Sequence, residues 1–573
     1  MTAATLFTNG KIFLSGVQPG TNAGLHRAPT FASSMLIDGS QISHVGSPSD
    51  EPITTALASR NPPTIHDLHG KTILPGFVDG HMHLMLLGQA LTKLDLNKCT
   101  DLASIQSIVR AHAAANPHLP RILCRGWMHS MLPPRGACAA DLDGLDVPGR
   151  DRPILMDSKD LHSTWCNTAG IAALCAEAWV DIPGGIIGRD AEGRLTGFFS
   201  EAANIMYVWP FLAAVASMEE RMAAIAAAVE AYHEAGYTGL VDMAMDEGGW
   251  EALLALRERE REKGGLKMRV AAYWLVKPCA EIAEMVKQVE RAIELAGEYN
   301  AATAPDCRIV GIKVICDGIV DACTAGLSEP YEHNGHAEVP LWTAEQLEPV
   351  VKRADEAGLQ IALHAIGDAT AKMVIDTLTK YASPERRPRV EHLELTTEED
   401  AARLGQAGIT ASIQPVHADP AILKAWPRLL GEHRCGRAFA YREFADLGAP
   451  LALGSDAPTA PHSPLGNIYV GTTRRSYREP EMETAVNPHF ALGLCEAVAA
   501  ATEGAAYSCF DDHRIGVLEK GHKSDFVVVD MEWEKEKLMQ AKVVETWFDG
   551  SQVWSAAQDQ TEINGKLHVE AGN

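Results

Sequence analysis

The sequence predicts an α/β fold: a parallel (β/α)8 barrel of the TIM type, a small β-domain drawn from both ends of the chain, and an insertion after the first barrel strand. Three observations predict it. Apolar strands alternate with helical stretches through the middle of the chain. Both ends are β-rich and punctuated by Asn-Gly and Asp-Gly. Residues 100–210 are rich in Pro and Gly and break the alternation. The 573 residues exceed one ordinary core, so a large barrel with a second domain is the natural division.

Taken in order, residues 5–13 read as a strand pair around Asn9-Gly10, and 34–45 as another around Asp38-Gly39. Residues 524–530 and 543–554 repeat the pattern at the other end. Neither end has enough strands for a stable sheet alone, so the two are expected to combine, with 1–70 plus 516–573 as one domain. The barrel is expected over 71–515. Strand candidates fall at 73–78, 121–124, 153–156, 239–243, 269–275, 309–315, 360–364, 389–391, 410–414 and 451–453. Helices are expected at 218–235, 281–297, 343–357 and 488–501. Assigning 121–124 and 153–156 to the insertion leaves eight strands, the number that closes a barrel.

Composition narrows the function. Hydrophobic residues make up 46% and charged residues 22%, the profile of a soluble globular enzyme. The net charge of −25 repels phosphate backbones, so nucleic acid is not expected as a partner. No apolar run is long enough for a membrane span, and the first residues do not read as a secretory signal, so the expected compartment is the cytoplasm. The twelve cysteines contain no Cys-x-x-Cys pair and read as small buried hydrophobes. A homodimer is the expected assembly, since dimers are the commonest oligomers.

In a β/α barrel, chemistry sits at the C-terminal ends of the strands. His81 and His83 follow the first strand, and a spacing of two in extended chain turns both imidazoles to one side, where they can chelate a divalent ion. A turn or surface role would explain the pair equally well in a chain with 22 histidines. His364 and His392 end the fifth and sixth strands; each alone reads as a hydrogen-bonded core histidine. Asp456 follows the eighth strand and alone reads as a cap. Together they change meaning, because all five belong to strand ends that face one mouth. Four histidines and an aspartate can hold one or two ions and leave a position for water.

The order His-x-His, His, His, Asp resembles the amidohydrolase superfamily. Leu74-Pro-Gly-Phe-Val-Asp-Gly-His-Met-His83, Gly311-Ile-Lys-Val-Ile-Cys-Asp-Gly318, His364-Ala-Ile-Gly-Asp368, Val390-Glu-His-Leu-Glu394, Gln414-Pro-Val-His417 and Gly454-Ser-Asp-Ala-Pro458 resemble the branch that contains N-substituted formamide deformylases. The resemblance spans nearly the whole chain. It implies a composite β-sandwich beside the barrel. It also implies that Lys313, on the fourth strand, is carboxylated and bridges two metals; read alone, Lys313 could instead be a buried lysine paired with Asp317. In the insertion, Trp127 and His162 match residues that would line the substrate pocket, and Gln414 and His417 are pocket candidates on the same grounds.

The expected reaction is hydrolysis of a non-peptide C–N bond of a small molecule, an N-formyl or N-acyl amine. Divalent metal, most readily zinc, activates water. Asp456 accepts the proton and passes it to the leaving amine, with His392 or the metal polarising the carbonyl. Two other readings keep the scaffold: a decarboxylase or isomerase, and a metal-binding protein without turnover.

Overall fold

The computed structural model describes residues 4–14, 28–159, 163–182, 185–201 and 203–557. It divides into two compact units, Met1–Leu84 with Val229–Asn573, and Met85–Ala228. Among the described residues, no helix is long and apolar enough to cross a membrane.

The first unit holds the barrel. Its strands are β1 (Phe77–Met82), β2 (Tyr237–Met245), β3 (Arg269–Val276), β4 (Cys307–Ile315), β5 (Gln360–Ala365), β6 (Arg389–His392), β7 (Thr410–Ile413) and β8 (Leu451–Leu453). They form one eight-stranded parallel sheet in chain order. β5 to β8 are buried along their whole length, as expected for strands covered on both faces. The seam between β8 and β1 is tight at Gly80, where a Cβ would come 2.6 Å from the Leu453 carbonyl oxygen. Just beyond the strand ends, the Asp456 N–H donates to the His81 carbonyl at 2.7 Å and the His83 N–H to the Ala457 carbonyl at 2.9 Å. Gly80→Ala should therefore overpack the seam and cost about 1–3 kcal/mol. Urea denaturation measures this, and an unchanged midpoint would mean that the seam has slack.

The strand expected at 73–78 is two strands. Thr72–Pro75 pairs antiparallel with Phe526–Asp530 in the terminal sheet, and Phe77 starts β1. The chain crosses over at Gly76, where a Cβ would lie 2.2 Å from Thr238 Oγ1. Pro75-Gly76 marks the break, but the apolar residues on either side disguise it, because both strands are buried.

The terminal sheet has eight strands from both ends of the chain. Its order is Ser551–Ser555, Lys542–Phe548, Phe526–Asp530, Thr72–Pro75, Thr5–Phe13, Phe31–Asp38 and Gln41–Gly46, with Thr64–Asp67 also paired to Thr5–Phe13. It draws its strands from both ends of the chain and forms one hydrogen-bonded sheet. Phe7, Met35, Ile37, Ile73, Phe526 and Val528 fill its core. Residues 5–13 are one strand, not a hairpin: Asn9, at φ 56°, makes an irregularity between Thr8 and Ile12. Asp549-Gly550 does turn a hairpin, with φ of 47° and 73° as such turns demand. Buried Arg269 at the start of β3 ties barrel to sheet, bonding Asp525 at 2.7 Å and Asp549 at 2.9 Å.

The second unit, Met85–Ala228, is wider than the expected insertion at both ends. It holds a six-stranded sheet where two strands are expected: Gly185–Arg189, Leu195–Glu201, Ser163–Cys166, Ile154–Ser158, Ile122–Trp127 and Leu94–Asp95. The additional strands are short or polar, such as Ser163–Cys166, and carry little apolar periodicity.

Candidate metal centre at the barrel mouth

The residues singled out in the first unit meet at one end of the barrel. His81 is buried at the end of β1. Its Nδ1 lies 2.6 Å from Glu391 Oε2, so the N–H donates there and Nε2 is left to face Asp456 Oδ1 at 3.3 Å. His83 Nε2 is 3.1 Å from the same Asp456 oxygen. The His364 and His392 rings are 4.3 Å apart, and those of His81 and His392 are 4.8 Å apart. His417, after β7, places Nδ1 3.1 Å from Glu394 Oε1 and Nε2 3.5 Å from Asp456 Oδ2.

These groups fit a divalent ion. His81 Nε2, His364 Nε2, His392 Nδ1 and Asp456 Oδ1 are buried without a hydrogen-bond partner, which is costly unless something else meets their lone pairs. Two ligand atoms tetrahedrally bound to zinc sit about 3.3 Å apart, given bonds of about 2.0–2.1 Å. The distances from His81 and His83 to Asp456 match that edge. The donor atoms of His81, His83 and Asp456 lie within 4.8 Å of one another, as do those of His392, His417 and Asp456.

Burial sets the protonation states. It pushes His364 down to about 3 and His392 well below its ordinary value, so both are neutral and ligand-ready at pH 7. Burial opposes the charge on Asp456, but His81 and His83 hold its carboxyl well below the usual range. Lys313 on β4 is pulled down to about 8, chiefly by burial, with Glu391 and Asp456 working the other way. Asp317, offered by the sequence as a partner for Lys313, instead accepts backbone N–H groups from Gly326, Ile366 and Gly367 at 2.9–3.0 Å and lies 3.4 Å from His364 Nε2.

Supporting carboxylates escaped the sequence reading. Glu391 is gripped by fully buried Arg389, whose Nε donates to Oε1 at 2.8 Å. Asp79 accepts from the Ser455 N–H at 2.8 Å, the Ser455 hydroxyl at 2.6 Å and the Tyr232 hydroxyl at 2.7 Å, pinning the end of β1 to that of β8. Asp242, on β2, accepts the Leu84 N–H at 2.9 Å and so fixes the chain just past His83. The available signal was a carboxylate inside an apolar strand run. His392 and Asp456 also hold φ of 78° and 55°, a strained conformation for non-glycine residues that clusters at functional sites.

The other pocket candidates are Trp127, His162 and Gln414. Trp127 is fully buried in the core of the second unit, and its indole N–H donates to the Met156 carbonyl at 2.9 Å. His162 lies outside the described residues. Gln414 is buried beyond β7, with its side-chain oxygen unpaired and its carbonyl accepting from the Tyr441 hydroxyl at 3.1 Å.

A β/α barrel with converging imidazoles and a carboxylate at its strand ends defines a class, the metal-dependent barrel hydrolases. The profile of the amidohydrolase family matches residues 64–554, and the chain belongs to that family. It is 28% identical to YtcJ of Bacillus subtilis over 471 residues, 81% of this chain and 84% of that protein. It is 22% identical to the N-substituted formamide deformylase of Arthrobacter pascens over 547 residues, 91% of this chain and 94% of that enzyme. The fold is similar to that of a metal-dependent hydrolase from Pyrococcus horikoshii, with a TM-score of 0.74 and 21% identity over 93% of this chain and 99% of that one.

Proposed function

We propose that the protein hydrolyses a non-peptide C–N bond of a small molecule, an N-formyl or other N-acyl amine. The observation that carries this is the Asp456 carboxylate, ionised and buried where it faces His81, His83 and His417. The likeness to the formamide deformylase supports the substrate class. His81, His83, His364, His392, Asp456 and Lys313 would hold divalent metal, most readily zinc. When bound, the metal acidifies water and polarises the substrate carbonyl.

The chain's own residues do the rest. Asp456 takes a proton from the attacking water and delivers it to the amide nitrogen as the C–N bond breaks, so a carboxylic acid and an amine leave. The Thr459 hydroxyl, donating to Asp456 Oδ2 at 2.8 Å, keeps that carboxylate aimed. Neutral His392 offers a ring N–H for the oxygen that gains charge. The unpaired side-chain oxygen of buried Gln414, beyond β7, would be available to a substrate donor.

An amide panel read by amine release tests the reading. Release from formamides and other N-acyl amines is the expected result. Carbon dioxide release from aromatic acids, with every amide left intact, would replace hydrolysis by decarboxylation.

Lys313, with its lowered pKa, is partly the free amine near neutral pH, the form that adds carbon dioxide to give a carbamate and a proton. A native mass spectrum should be heavier by one carbon dioxide, and Lys313→Met should abolish the increment. An unmodified mass for the metal-loaded protein would rule the carbamate out.

A further inference from the structure

We propose that His417 is itself a metal ligand, and that with His392 and the second oxygen of Asp456 it forms a second metal position that does not depend on a modified Lys313. This rests on the metal-dependent reading of the site. It replaces the pocket-lining role that the place of His417 after β7 suggests.

The first argument is a repeated arrangement. His81 gives Nδ1 to a buried carboxylate, Glu391, at 2.6 Å and turns Nε2 towards Asp456 at 3.3 Å. His417 gives Nδ1 to another buried carboxylate, Glu394, at 3.1 Å and turns Nε2 towards Asp456 at 3.5 Å. A carboxylate behind one ring nitrogen fixes the tautomer and raises the basicity of the other, the usual support of a metal-bound imidazole. The two histidines address different oxygens: Oδ1 faces His81 and His83, and Oδ2 faces His417. Asp456 is thus shared between two donor sets, one on each oxygen.

The second argument is an unmet donor. His392 is 4% exposed, and its Nδ1 has no hydrogen-bond partner. Its ring lies parallel to that of His417 at 5.8 Å, and the donor atoms of His392, His417 and Asp456 fall within 4.8 Å of one another. A substrate-lining histidine needs neither the buried carboxylate behind it nor the neighbouring lone pair.

The test is zinc-edge anomalous diffraction and zinc content on full-length protein equilibrated with zinc. Wild type should show two peaks, one beside Nε2 of His81 and His83 and one beside Nε2 of His417. His417→Gln, which can keep the bond to Glu394, should lose the second peak and one equivalent of zinc while keeping the first. Glu394→Gln should weaken the second zinc by about 10- to 100-fold and leave the first unchanged. A single peak at His81 and His83, or a second peak that survives His417→Gln, overturns the proposal and leaves the metal-dependent reading standing. No zinc at His81 and His83 in wild type would instead remove that reading, and this proposal with it.

Discussion

Asp456→Asn should lower kcat by about 10²- to 10⁴-fold, the span over which a positioned general base contributes. The side chain keeps its size and one oxygen acceptor, so divalent metal held by His81 and His83 should be retained. What is lost is the carboxylate charge that takes the proton. KM should move little, because Asp456 acts on the water and leaving group and not on the resting substrate. Steady-state kinetics beside zinc content separate the cases. Wild-type turnover in the variant would end the role given to Asp456, whereas loss of all bound metal would show that its charge is needed for assembly of the centre.

Arg389→Met should be the most destabilising single change. Arg389 is wholly inside the barrel, bonding Glu391 at 2.8 and 3.1 Å, the Gly80 carbonyl at 2.7 Å, Ser412 at 2.9 Å and Ser508 at 3.0 Å. Removing it strands the Glu391 charge in the core, which costs about 3–5 kcal/mol. It also loosens the carboxylate that orients His81, so metal affinity should fall too. The pH dependence gives an independent signature. Burial resists the Glu391 charge, but Arg389 and His81 hold its folded pKa far below the ordinary 4.5. Its contribution to stability is therefore full above about pH 4.5 and lost as pH falls towards the folded value. In the variant, that acid-side loss should shrink. Chemical denaturation across pH reads both effects, and an unchanged midpoint and slope would show the network to be inert.

Much of the barrel was legible because its strands are short apolar runs that end in chemistry: β8 was bounded correctly, and β5 to within a residue. The crossover at Gly76 was not, although Pro75-Gly76 is a turn signal at that point, because the apolar residues on both sides read as one strand. Asn9-Gly10 carries the dipeptide of a tight turn yet sits within a strand, because tertiary pairing can use a positive φ for an irregularity as readily as for a hairpin. In the site, His81, His83, His364, His392 and Asp456 could be found from their positions at strand ends. Glu391 and Glu394 could not, although both flank His392, because their roles depend on partners hundreds of residues away or in the next loop. The reading of His417 turns on the same point. Its chain position places it at the mouth, and only the carboxylate behind its ring shows which way it points.

The register of the terminal sheet sets an order on folding. Ile73 pairs with Val528, and Leu74 with Val527, so the early strands lack their central neighbour until residues about 450 positions further on have been synthesised. Until then, Thr72–Pro75 presents an open edge that carries Ile73 and Leu74. Contacts of such sequence separation form slowly, and exposed edges invite association between nascent chains. The yield of folded protein should therefore depend on what shields that edge during synthesis more than on the stability of the finished barrel.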